Sequence, residues 1–201
     1  MFKLHSLYAL LVAAAITPPI SSAQVTAGIG DALAPLCIDR NHSTIGFEVP
    51  IIGGISKVTG KFTDFDVQLV WDVENLSNSS VLTTIQVASV DTGIDDRDNE
   101  LRSGGFFDVA MHPTITFESN EITGNGDGYL AHGTLTIKGV SKEIALPFKV
   151  VKREKPDEGY WYAFNIEYEL DRTEYDITWE HNLLKIFVGD EVAVKLFVLI
   201  C

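Results

Sequence analysis

Across residues 36–201 apolar side chains recur at every second position, in segment after segment, and no long run repeats at helical spacing. Ile45, Phe47 and Val49 share one face, as do Phe65, Val67, Leu69 and Trp71. Val81, Thr83, Ile85 and Val87 follow, then Ile115 with Phe117, and Leu135 with Ile137. Later stripes run from Ile144 through Leu146 and Phe148 to Val150, from Tyr160 through Phe164 to Leu170, and from Val192 through Leu196 to Ile200. Successive side chains of a strand point to opposite faces, so each stripe marks one half-buried strand. Turn-forming stretches separate them: ENLSNSS at 74–80, GNGDG at 124–128 and KPDEG at 155–159. The pattern predicts an all-β chain of about eight long antiparallel strands. They form either an extended up-and-down barrel, which leaves no open edge, or a two-sheet sandwich. One helical element is expected in the 95–105 region, where DNELRS at 98–103 reads as a single turn stopped by Gly104-Gly105.

The start of the chain has a different texture. A weakly basic opening (Lys3, His5), an apolar run at 7–16, the Pro18-Pro19 break and the small residues Ser21-Ser22-Ala23 predict a signal peptide over residues 1–23, cut before Gln24. The apolar run is shorter than the roughly 20 residues that span a bilayer. Residues 24–35 read as a linker and 36–201 as one domain, long enough for a full core. The mature protein is therefore expected outside the cytoplasm, in a periplasm or beyond, with no membrane-spanning segment. Such a compartment permits a disulfide between Cys37 and Cys201. In a closed barrel the first strand's start lies beside the last strand's end, where a bond would staple the seam; otherwise the two are unrelated thiols.

A formal charge of -13 argues against nucleic acid as a partner, since phosphate binding needs a basic stripe. No sequence constellation supports an enzyme. Asp91-Thr92-Gly93 matches three residues of an aspartic protease, but that chemistry needs two carboxylates sharing a proton. Asp95, Asp96, Asp98 and Glu100 lack calcium-loop spacing and, with Arg97 and Arg102 among them, read as a salt-bridged turn. His42, His112, His132 and His181 fall in no zinc pattern, so neither a metal nor a cofactor is expected. The last strand carries Ala193, Phe197 and Leu199 opposite its main stripe. Cover by the protein's own chain is the simplest expectation, and a homodimer face is the alternative.

Several ordered motifs resemble the YceI-like family of exported lipid-binding barrels. Ile38-Asp39, His42-Ser43 and Phe47 look like its opening, and Gly60 with Phe62 like its Gly-x-Phe. The 91–103 turn, Phe106-Phe107-Asp108, His112-Pro113 and Phe117-Glu118-Ser119 look like its centre. Gly133, Leu135-Thr136-Ile137, Gly139 to Lys142, and Arg172 with Tyr175 look like its later hairpin and Arg-x-x-aromatic. Two positions depart: Pro50-Ile51-Ile52-Gly53-Gly54 stands where many members carry a His, and His112 where many carry Tyr. The resemblance implies a lipocalin-like barrel holding a long isoprenoid or similar amphiphilic chain. The expected pocket lining is Ile45, Phe47 and Val49 on one wall, Phe65, Val67 and Leu69 on another, with Phe106, Phe107 and Phe117. A filled barrel acting through its surface, as a stress-response module, is the second expectation, and a hydrolase the third.

Overall fold

The computed structural model describes residues 34–156, 159–182 and 187–201. The expected signal peptide and nearly all of the linker lie outside the described residues. Among the described residues there are ten strands: β1 (Ile38–Ile51), β2 (Ser56–Phe62), β3 (Phe65–Val70), β4 (Ser80–Gln86), β5 (Val90–Asp91), β6 (Thr114–Asn125), β7 (Gly128–Ile137), β8 (Val140–Glu154), β9 (Tyr160–Asp171) and β10 (Glu191–Ile200). The α-helix α1 spans Asp95–Arg102, two turns where the sequence predicts one.

The ten strands make eight walls. β2 and β3 are one strand bent at Thr63-Asp64, and β4 and β5 one strand bent at residues 87–89. These two bent strands pair on both sides of the corner, Phe62 opposite Val90 and Phe65 opposite Ile85. At the corner itself Thr63 N–H donates to the Ser89 carbonyl (3.2 Å) and Gln86 N–H to that of Asp64 (2.9 Å). From β4 the pairing runs through β6, β7, β8, β9 and β10, and β10 returns to β1, which pairs β2. Every pair is antiparallel, so the ring closes as an up-and-down barrel and the sandwich alternative falls.

Local chemistry explains several of the motifs. β1 bulges between Asp39 and Thr44 at the seam with β10. There Asp39 accepts the Asn41 and His42 amides (3.1 and 3.2 Å) and the His42 ring (2.7 Å). Ser43 replaces the lost ladder bond: its hydroxyl donates to the Asp39 carbonyl (2.7 Å) and accepts the Leu199 amide (2.9 Å). Gly60 is small because the Phe47 ring lies over it, where any Cβ would clash. The β7–β8 hairpin closes on Lys138-Gly139, both at positive φ (48° and 76°), a geometry for which Gly is the least strained residue. Cys37 and Cys201 are disulfide-bonded with Cα atoms 5.4 Å apart, beside the Ile38–Ile200 pair.

The stripes point inward as the alternation predicts, and Ile45, Ile85, Phe117, Leu135, Phe148, Phe164 and Val198 are buried. A second bulge, between Ser119 and Glu121, shifts the parity of β6 and brings Ile122 inside. The expected cover over β10 is not there at its outward Phe197. That ring, paired between Thr44 and Asn165, stays 41% exposed, because ladder neighbours flank an outward side chain without roofing it.

Candidate functional site

The interior is divided along the barrel axis. At the end where β1 begins and β10 finishes, aromatic rings fill it. Trp71 meets Tyr129, Phe148 and Phe164 edge-on, with centroids 4.9, 5.8 and 5.5 Å away. Tyr129 stacks on Phe148 at 5.2 Å. Phe65, Val67 and Leu69 of β3 are buried in the same core.

The other half is hollow. A cavity of about 520 Å³ opens there, walled by nearly every strand. Ile45, Phe47, Val49 and Ile51 of β1 face Leu135 and Ile137 of β7, and Phe62 and Phe117 close the sides. Leu146, Tyr168, Leu170, Val194 and Leu196 complete the sheet surface. An eight-stranded barrel is just wide enough either to be filled by side chains or to hold one small ligand. This chain does both, at opposite ends.

The sequence-predicted residues therefore separate. Ile45, Phe47, Val49, Phe106, Phe107 and Phe117 border the cavity. Phe65, Val67 and Leu69 do not; they point inward but lie on the barrel wall outside its hollow stretch. Alternation reports which face a residue occupies, not how far along the barrel a void extends. Leu135, Ile137, Leu146, Tyr168, Leu170 and the β10 residues also border the cavity and were missed for that reason, although their stripes are plain. Ile177, Trp179, Phe187 and Val188 also border it and carry no periodic signal, because they belong to irregular segments.

α1 completes the wall where β5 is only two residues long. Arg102 holds the helix in place, donating from Nε to the Ala88 carbonyl (2.9 Å) and from Nη2 to that of Val90 (2.8 Å). Buried Asp98 accepts the Thr92 amide (2.9 Å) and the Thr92 hydroxyl. Arg97 donates from Nε to the same hydroxyl and from Nη2 to the Thr92 carbonyl, both at 2.8 Å. The expected salt-bridged turn is thus a turn held by side chain–backbone bonds. Asp91 is occupied in it, accepting the Gly93 amide at 2.9 Å.

Ring contacts roof this end, with Phe106 stacked on Trp179 at 5.3 Å and His181 5.0 Å from Phe187. Arg172, buried, ties the chain around the rim. It donates to the carbonyls of Ile177, Val188 and Gly189 and to the Asp190 carboxylate at 2.8 Å. Beside it, burial pushes the Tyr175 phenol up to about 12, with Tyr168 and Glu174 adding to the shift, so it stays neutral at ordinary pH. The lining is apolar apart from Thr83 and a few groups at this end, notably Arg97 and Glu100 of α1. Among the described residues no three His, Cys, Asp or Glu side chains converge as a metal site, and no helix is long and apolar enough to cross a membrane.

The chain matches the YceI-like domain family over residues 37–199. A UPF0312 protein of Pseudomonas aeruginosa is 39% identical over 148 residues, covering 72% of this chain and 76% of the relative. A UPF0312 protein of Pectobacterium atrosepticum is 34% identical over 163 residues, covering 79% and 84%. Among solved structures, Burkholderia cenocepacia BcnA superposes with a TM-score of 0.72 at 24% identity, over 81% of this chain and 98% of that one. A polyisoprenoid-binding domain from Saccharophagus degradans, implicated in plant cell wall breakdown, superposes with a TM-score of 0.61 at 15% identity, over 83% and 98%. These two structural likenesses are likenesses of fold. With the closed barrel and its ordered motifs, the matched sequence places this chain in the YceI-like domain family.

Proposed function

We propose that this protein is exported and carries or sequesters one apolar, isoprenoid-type molecule inside its barrel, without catalysing a reaction on it. The observation that carries the reading is the 520 Å³ cavity, of the size that holds a small organic ligand and almost wholly apolar inside. Each CH₂ taken from water into such a site contributes about 0.8 kcal/mol, offset by the ordering of the chain and the desolvation of its head. Arg97 and Glu100, the charged residues α1 adds to the lining, are the groups a polar head would meet. Export is supported by the signal-like residues 1–23 and by the Cys37–Cys201 disulfide, a bond favoured outside the cytoplasm. Binding without catalysis fits the turn around Asp91, whose polar groups are bonded to their own backbone.

Gentle purification followed by native mass spectrometry and organic extraction tests the proposal. The expected result is a bound lipid, or uptake of added farnesol by the emptied protein at one molecule per chain. A homogeneous unliganded mass, no lipid in the extract and no farnesol uptake together would sink it. That outcome would favour the surface-acting module, for which the aromatic-filled half of the barrel is the structural support.

A further inference from the structure

The roof over the hollow end is two pieces, each anchored to its own wall. One follows α1, which Arg102 holds to the Ala88 and Val90 carbonyls. It folds on itself, the Phe106 and Asp108 amides donating to the Ser103 carbonyl (3.1 and 2.8 Å). The other runs on from the turn at 172–175. Arg172 ties it to the Ile177, Val188 and Gly189 carbonyls, and Lys142 of β8 pairs with Glu174 at 3.0 Å. The pieces meet where Phe106 stacks on Trp179, whose ring also lies against Gly105, 3.2 Å from where a Cβ would stand.

Lys138 bridges the two. From the β7–β8 turn its ammonium donates to the Asp176 carbonyl (2.7 Å) and to the Gly104 carbonyl (3.3 Å), one on each side of the ring stack. The turn itself gives no reason for a lysine. Lys138 sits at φ 48°, in the left-handed region where Gly, Asn and Asp are the least strained residues. Its reach to the two carbonyls gives the long side chain a role there that backbone preference does not.

We infer that Lys138 is a latch: it holds closed the gap between residues 104–107 and 176–179, and that gap is the portal through which a guest enters and leaves. Lys138 is a positioning residue, since its bonds go to main-chain carbonyls and it does not line the cavity. The inference rests on the carrier reading and names what sets the rate of exchange at that same site. The bridge is present with or without a guest, so breaking it speeds entry and exit alike and leaves Kd nearly unchanged.

Lys138→Asn tests this, because Asn suits the turn and is too short to span the two carbonyls. Stopped-flow mixing of the emptied protein with N-phenyl-1-naphthylamine, an uncharged fluorescent probe, reads uptake and release. Fluorine NMR of fluorotryptophan-labelled protein, without probe, reads the roof. Both rates are expected to rise by roughly tenfold on loss of the two charge-assisted bonds. The Trp179 signal is expected to shift or broaden while that of Trp71, in the filled end, stays put. A lysine needed only for folding would not speed uptake and release equally at constant Kd. Where Lys138→Asn does not fold by circular dichroism, Lys138→Met, which keeps the stem and removes the donors, takes its place. Release at the original rate, or a Trp179 signal that does not move, overturns the latch; either leaves the carrier reading standing. A protein that takes up no probe counts against the carrier reading instead, and the Trp179 signal alone then decides the latch.

Discussion

At one end of this barrel Trp71, Tyr129, Phe148 and Phe164 meet ring to ring; at the other, Phe47, Phe62, Phe106 and Phe107 stand around an open space. The same strands and residue types serve both ends, so aromatic content does not decide which is hollow. The wall does. At the filled end β3 and β4 pair over six residues and bring Phe65, Val67 and Leu69 into the interior. At the hollow end β2 meets β5 over two pairs only, and α1 with Phe106 and Phe107 stands in for the missing sheet. A wall completed by a helix and a loop surrounds a space that strand side chains alone leave unfilled.

The largest test of this contrast is truncation. Phe164→Ala in the filled end should cost about 3–5 kcal/mol in urea unfolding, because its cavity has no room to relax. Phe107→Ala, whose ring already borders a void, should cost clearly less; equal losses would mean the two ends are packed alike. Next comes the seam. Replacing Cys37 and Cys201 by Ser opens a loop with a sequence separation of 164 residues and should lower stability by about 2–4 kcal/mol, measured against the oxidised protein. Asp98→Ala should cost about 1–3 kcal/mol, since the Thr92 amide and hydroxyl lose their acceptor. It should also quicken farnesol release, because α1 walls the hollow end; a stability loss with unchanged release would detach α1 from ligand retention.

The smallest expected effect is a pH slope. Tyr175 titrates at about 12 in the fold against an ordinary 10.0. The stabilisation from its neutral phenol is complete below about pH 10 and is lost as pH rises through 12. Tyr175→Phe should flatten that part of the stability profile; an unchanged slope would show that the ring's burial at the rim is incomplete.

The sequence made the walls legible and the void only partly so. Period-2 stripes placed Ile45, Phe47 and Phe117 on the inner face correctly, and the motifs around Asp39, Gly60 and Arg172 mark a bulge, a ring contact and a backbone clamp. The corners at 63–64 and 87–89 were hidden, because each shifts the inward parity, from Phe62 to Phe65 and from Val87 to Val90, without a distinctive composition. The parity shift at Ser119 was hidden too, since a bulge adds a residue without a distinctive composition. Phe65, Val67 and Leu69 look like pocket residues for the same reason that Ile45 does; only their position along the axis separates them.

The disulfide gives the molecule a direction. With β1 and β10 riveted where the interior is solid, their pairing can fray only from the opposite rim, where it runs past the Glu48–Ala193 pair to the Ile51–Val188 bridge. Amide exchange along β10 should therefore slow steadily from Val192 toward Ile200. A guest leaving the barrel would depart through the rim that breathes, so fraying of that rim and the guest's residence time would be governed by one local equilibrium.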